Sequence, residues 1–414
     1  MSATLPRRLG PVDAVVIGMG SMVGAGVFAA FTPAAEAAGS GLLVGLVIAA
    51  AVAWANATSS AQLAAQYPSS GGAYVYGRER LGPAWGFAAG WAFVVGKTAS
   101  CAAMALTVAT YALGGEARAT QILALAVVAG LTWVTIRGIT RTARLARLLL
   151  GLTLACLAVV VGVVLAATRA WHSPIEGLGD TSPYGILQSA GLLFFAFAGY
   201  ARIATLGEEV RDPARVIPRA ITTALATVVI LYGAVALVLL LTIGAAAVAR
   251  SPLPLLAAAE SGGVSWLGAV LRVGATVASL GALLGLLAGV GRTTFAMARG
   301  GDLPGRLGAV DPSRHVPATA QVAIASAVAL LVLLTDLRHA IGFSSFGVLL
   351  YYAIANAAAL TQDDAHRRWP RWVQVGGLGG CLLLALSLPW GSVLAGALVV
   401  LAGLAARAAA GRAR

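Results

Sequence analysis

Twelve apolar stretches follow one another along this chain, near 11–37, 42–67, 83–113, 119–136, 145–168, 184–207, 216–248, 264–298, 317–335, 339–361, 370–388 and 390–410. Each has about the 20 residues that cross a bilayer core as a helix, or more. Only short polar connections separate them, among them Pro68 to Gly72, Gly82-Pro83, Ser173-Pro174, Asp212-Pro213 and Asp311-Pro312. The composition agrees: 59% of residues are hydrophobic and 10% charged, against about 45–50% and about 25% in soluble domains. A chain of this kind cannot cover itself with polar surface, which excludes a water-soluble enzyme. Period-2 alternation at barrel-strand length is absent, so the expected fold is an all-α integral membrane bundle of about 12 spans. The first run is longer than the roughly 7–15-residue core of a signal peptide and is kept as span 1. Cys101, Cys156 and Cys381 lie inside apolar runs and His172, His315, His339 and His366 in connections, a pattern of core thiols and loop imidazoles rather than a metal or disulfide framework. No cofactor is implied.

Basic residues set the expected orientation, since cytoplasmic loops carry an excess of Lys and Arg. Of the 28, 21 fall in the segments that share a side with the N-terminus. Only Arg118, Arg169, Arg250 and Arg338 fall on the other, and Lys97, Arg202 and Arg272 lie within spans. Both termini are therefore expected in the cytoplasm. The net charge of +13 then points to the anionic inner leaflet as a partner and not to nucleic acid.

Two spans are interrupted in matching places. Span 1 contains Gly18-Met19-Gly20-Ser21-Met22-Val23-Gly24-Ala25-Gly26, and span 6 contains Phe197-Ala198-Gly199-Tyr200-Ala201-Arg202. Glycine at such density weakens a helix, and irregular backbone is tolerated at membrane depth only where it lines a cavity or is buried in protein. Five spans separate the breaks, so a second five-span unit would be an inverted copy of the first. Paired interruptions of that kind are the best sequence pointer to a transporter's central site. A half-helix N-terminus suits a carboxylate and a half-helix C-terminus an ammonium, and an amino acid carries both. Gly20 to Gly24 is also the spacing at which small residues let helices pack closely, and that role stays open beside the first. A dinucleotide loop fits poorly: the glycine spacing is wrong, and no soluble βαβ unit follows.

The same residues resemble a known family. Gly18 to Phe28 is similar to the first-helix signature of the amino acid–polyamine–organocation (APC) permeases. The resemblance continues through Ala61-Gln62-Leu63 to Tyr76, Leu81-Gly82-Pro83 with Gly90-Trp91, Phe194 to Tyr200, Glu208-Glu209-Val210-Arg211-Asp212-Pro213 with Ile217-Pro218-Arg219-Ala220, and Arg292 to Pro304 with Pro317. It implies a LeuT-like fold of five plus five inverted helices, residues 1–168 and 184–361, with two extra helices in 370–414. It also implies secondary transport of amino acids or related amines. Ser21, Met22, Val23, Gly24, Ala25, Gly26 and Val27 would hold the substrate carboxylate through their backbone. Carbonyls of Phe197, Ala198 and Gly199 would hold the amine, with Phe197 or Tyr200 as an aromatic lid.

Three further residues concern coupling or gating. Lys97, the only lysine, falls well inside span 3, where an ionisable group is by default functional. It could exchange a proton, or serve as a structural tether to a carbonyl. Proton-coupled relatives carry a lysine in the fifth helix, and the register from Gly138-Ile139 to Leu152 puts Thr153 there. Coupling to H+ through Lys97, to Na+ near Thr153, or exchange without an ion all stay open. A positive Lys97 near the pocket would repel cationic substrates and favour neutral amino acids; a carrier of a polyamine or a cationic amino acid is the alternative. Arg202 replaces the glutamate that many relatives carry after Gly-Tyr, and Gln62 replaces another, which suggests an inner gate pairing Arg202 with Glu208, Glu209 or a carbonyl. Glu36 is expected to face solvent and Arg272 to reach the interface. A channel would need a repeated pore-lining polar pattern, and a membrane enzyme paired carboxylates or a His/Cys cluster at depth.

Overall fold

A computed structural model describes residues 9–68, 71–114, 117–137, 143–207, 209–311, 313–314 and 316–412. Of the residues named above, Ser69, Ser70, Gly138, Ile139, Glu208, Pro312 and His315 lie outside them, as do Arg7, Arg8, Arg141 and Arg414 of the basic residues counted for the orientation. Every extended element among the described residues is helical. Span 1 is built as α1 (Pro11–Met22), α2 (Ala25–Ala29) and α3 (Phe31–Ala38), and span 2 as α4 (Leu42–Gln66). A short α5 (Ala73–Leu81) precedes α6 (Pro83–Leu113), α7 (Ala117–Ile136) and α8 (Ala143–Ala167). Span 6 comprises α9 (Pro183–Phe197), a 3₁₀ turn (Ala198–Tyr200) and α10 (Ala201–Ala204). Then come α11 (Pro213–Arg250), the short α12 (Pro254–Ser261), α13 (Ser265–Arg299), α14 (Ala318–Leu334), α15 (Leu337–Leu360), α16 (Arg371–Ser387) and α17 (Trp390–Arg412). Ten of these segments are long and apolar enough to cross a membrane, and α14 and α16 are shorter apolar helices. Together they account for the twelve runs. The two short helices α5 and α12 fall in stretches expected to be connections.

Local chemistry sets many of the boundaries. Proline opens α1, α6, α9, α11 and α12, at the one helical position where a missing N–H costs nothing. The Ser182 hydroxyl accepts from Gly185 N at 3.0 Å, and the Asp336 carboxylate accepts from His339 N at 2.8 Å, each satisfying an orphan donor of a first turn. Packing then sorts the helices into layers. α6 is enclosed on nearly all sides, whereas α7, α8 and α17 turn most of their surface outward. Val47, Ile230, Leu334 and Leu398 project from the bundle, as side chains facing acyl tails do.

Contacts between connections sort the two ends of the bundle. At one end Leu9 N donates to Glu209 O and Arg211 N to Leu9 O, both at 3.0 Å. At the same end Arg147 approaches Asp13 at 3.5 Å, Arg292 approaches Glu209 at 3.4 Å, and Arg368 Nη2 donates to Ala214 O at 3.0 Å. We call this the basic face. At the opposite face Thr32 Oγ1 donates to Ser251 O at 2.7 Å, Thr181 Oγ1 to Ala38 O at 3.2 Å, and Glu36 pairs with Arg338. Glu36 is exposed to solvent as expected, and its ion pair ties the end of α3 to the start of α15. Arg272, expected to reach the interface, donates instead to Tyr111 O at 3.0 Å, because the α6 C-terminus leaves that carbonyl without an intrahelical donor.

Asp302, just after α13, joins three elements at the basic face. It accepts from Tyr74 Oη at 2.9 Å, Arg78 Nη1 at 3.2 Å and Arg407 Nε at 2.9 Å, and its own side chain is 5% exposed. Truncation strands two guanidiniums, so Asp302→Ala should destabilise the protein by about 2–3 kcal/mol. The check is the melting temperature in detergent; an unchanged value would mean that water already satisfies both arginines.

Candidate functional site

The two interruptions meet in the middle of the bundle. α1 runs inward from the basic face and ends at Met22, with Val23 at φ −77°, ψ 15° and Gly24 at φ −69°, ψ −119°, before α2 resumes. α9 runs the other way, from Thr181 at the opposite face, and tightens into the 3₁₀ turn at Ala198. The second interruption is thus a change of helical pitch rather than an open loop. The two backbones touch: a Cβ on Gly199 would lie 2.4 Å from Ser21 O, 2.5 Å from Ser21 C and 2.6 Å from Met22 N. Only glycine permits so close an approach.

A tyrosine on α11 seals the crossing. Tyr232 Oη lies 2.6 Å from Met22 O and 3.1 Å from Ala196 O, so one hydroxyl is shared between carbonyls of both interrupted helices. Phe197 packs on the Tyr232 ring at 5.2 Å between centroids. Tyr200 stacks on Tyr352 at 4.9 Å. Both aromatic residues suggested as a lid are fully buried.

Beside the crossing lies a cavity of about 70 Å³ lined by Ser21, Phe93, Lys97, Ser100, Ala198, Gly199, Arg202, Gly285, Gly289 and Arg292, among others. A second cavity of about 190 Å³ continues toward the basic face past Leu9, Glu209 and Pro317. Ser21, Arg202, Gly285 and Arg292 line both and form the neck between them. Toward the opposite face the way is closed: Tyr111 Oη donates to Phe28 O at 3.1 Å, and the Glu36–Arg338 pair lies beyond.

Lys97 Nζ donates to Ala198 O at 3.0 Å, and Tyr352 Oη donates to the same oxygen at 3.4 Å. Lys97 is 5% exposed because α6 is the most enclosed helix of the bundle. Among the described residues no carboxylate lies within ion-pair distance of it. An ammonium has three donors, one of which is taken by the Ala198 carbonyl. The break in span 6 therefore has a carbonyl that receives an ammonium, and a protein side chain is the one seated on it.

Of the residues singled out in the sequence, Ser21, Lys97, Ala198, Gly199 and Arg202 share the central cavity. Met22, Val23, Gly24, Ala25, Gly26 and Val27 are buried in packing beside it: a Cβ on Gly24 would meet Ala282 Cβ at 2.4 Å, and one on Gly26 would meet Ala196 Cα at 2.7 Å. Thr153 is buried on α8, its hydroxyl donating to Leu149 O at 2.8 Å. Arg202 Nη1 donates to Thr205 Oγ1 at 3.1 Å. Glu209, the described carboxylate considered as its gate partner, pairs with Arg292 instead.

Two contributions were not foreseen. Tyr232 and Tyr352 sit in apolar runs with nothing to distinguish them. The α13 wall did leave a signal, small residues at Ala282, Gly285, Gly289 and Ala296 with Arg292 among them, which is one helix face at spacings of three and four.

The sequence matches the amino acid permease family over residues 9–408. The chain belongs to that family. This permease is 55% identical over 402 residues to an uncharacterized transporter of Mycobacterium tuberculosis, covering 97% of this chain and 91% of that one. It is 27% identical over 432 residues to the branched-chain amino acid permease BcaP of Bacillus subtilis, covering 97% and 92%. It is 28% identical over 380 residues to the vacuolar cationic amino acid transporter 4 of Arabidopsis thaliana, covering 86% and 63%. The permease is a multi-pass membrane transporter and not an enzyme.

Proposed function

We propose that this permease is a secondary-active amino acid carrier of the cytoplasmic membrane, working by alternating access around the crossing of its two interrupted helices. The chain then forms two inverted five-helix repeats, residues 1–168 and 184–361, with α16 and α17 added. One observation carries the proposal: an ammonium sits on the Ala198 carbonyl inside the central cavity, so a substrate amine finds there the acceptor it needs, with Ser21 of helix 1 lining the same cavity for its carboxylate. The basic face is cytoplasmic by the Lys/Arg excess, which makes the present arrangement the one directed inward. Opening outward requires release of Glu36 from Arg338 and of Phe28 O from Tyr111.

Lys97 bears on substrate and on coupling. As a buried cation with no carboxylate within ion-pair distance among the described residues, it disfavours substrates with a cationic side chain, and taken alone it favours neutral amino acids. A substrate amine arriving at Ala198 O must share or displace the Lys97 ammonium, and handing off a proton relieves the repulsion between them. That makes H+ the coupling ion.

The test is uptake of radiolabelled amino acids into proteoliposomes under an imposed proton or sodium gradient. Accumulation of a non-cationic amino acid driven by the proton gradient is the expected result. No accumulation of any amino acid would end the proposal, and accumulation driven by sodium would move the coupling away from Lys97.

A further inference from the structure

Among the described residues, the neck between the two cavities holds more positive charge than it neutralises. Arg202 and Arg292 both line it, and Glu209 is the carboxylate that lines the adjoining cavity. Glu209 Oε1 lies 3.4 Å from Arg292 Nη1, which leaves Arg202, half-buried, with the neutral Thr205 hydroxyl at 3.1 Å. Glu208 lies outside the described residues. A guanidinium presents five donors in a planar fork that matches a carboxylate, and a hydroxyl uses one of them. The space around the neck is open as well: a Cβ on Gly285 or Gly289 would meet nothing within 4 Å.

Charge balance then discriminates among amino acids. A cationic side chain adds to the repulsion between two guanidiniums that share a recess walled by apolar helices. A neutral zwitterion leaves that repulsion as it was. An acidic amino acid brings one net negative charge, and its side-chain carboxylate gives the Arg202 fork a direct partner that no carboxylate among the described residues supplies at ion-pair distance, in surroundings where Coulomb energies are larger than in water. Lys97 above and Arg292 below add to the same field. Building on the permease reading above, we propose that the preferred substrate is an acidic amino acid. Its α-amine and α-carboxylate lie in the central cavity between Ser21 and Ala198, and its second carboxylate lies in the neck on Arg202. The exclusion of cationic side chains by Lys97 is kept, and the second guanidinium moves the optimum from neutral to anionic.

The experiment is competition against uptake of radiolabelled L-glutamate, L-leucine and L-arginine by the purified full-length protein in liposomes of phosphatidylethanolamine and phosphatidylglycerol. In the wild type, glutamate or aspartate should be preferred over leucine by about tenfold or more, about 1.4 kcal/mol, and arginine should compete least. Arg202→Gln should lower the glutamate-to-leucine preference by about tenfold, with Arg202→Lys between. Leucine preferred over glutamate by the wild type would overturn the proposal and leave the amino acid carrier standing, even if neither variant folds. An unchanged ratio in a folded Arg202→Gln protein would overturn it too. Transport of no amino acid at all would instead remove the carrier on which it rests.

Discussion

Gly199→Val should abolish uptake while the protein still reaches the membrane. The added Cβ would fall 2.4 Å from the Ser21 carbonyl oxygen and 2.6 Å from Met22 N, main-chain atoms of another helix that cannot rotate away as a side chain tip can. The helices must part, at about 1–3 kcal/mol for overpacking, and a bias of that size changes a conformational equilibrium by about 5–150-fold. Because the crossing is where the two interrupted helices touch, that bias falls on the rearrangement that transport requires. Gly130→Ala is the control: its Cβ enters open space on the exposed side of α7, away from both cavities, and should leave uptake within about twofold, since surface-like additions without a clash usually cost under ~0.5 kcal/mol. Equal uptake by the Gly199→Val protein and the wild type would show that the contact is passive packing.

Lys97→Met is expected to separate coupling from substrate passage. Methionine keeps the length and apolar stem of lysine but cannot carry a proton. Accumulation against a gradient in response to an imposed proton gradient should be lost, while exchange of internal for external substrate persists. Of the two side-chain donors to the Ala198 carbonyl among the described residues, the long 3.4 Å bond from Tyr352 remains, and the oxygen becomes more open to a substrate amine. Proton-driven accumulation equal to that of the wild type would reduce Lys97 to a tether between α6 and the turn at Ala198.

The membrane class, the twelve runs and the two interruptions are legible in the sequence because each depends on local properties. Hydrophobic length sets a span, proline at a first turn sets a start, and clustered glycine weakens a helix wherever the chain goes. Lys97 was legible for the same reason, as the only lysine and as a charge in an apolar run. Its partner was not, since Ala198 is 101 residues away and presents a main-chain oxygen that every residue has. The Glu36–Arg338 and Arg292–Glu209 pairs were hidden for a related reason: the members of each pair lie far apart in the chain, and only the folded ends of the helices bring them together.

Local composition alone determined that this chain crosses a membrane as helices and that two of its spans are weakened at matching depths. Tertiary packing decided what the weak points do. It turned span 1 aside after Met22, narrowed span 6 into a 3₁₀ turn, pressed Gly199 against the Ser21–Met22 peptide, and buried most of the glycine-rich segment away from the cavity. The physical reason is that a backbone interruption frees polar groups without directing them. Which helix brings a tyrosine, a lysine or a guanidinium to those groups depends on contacts between residues far apart in the chain.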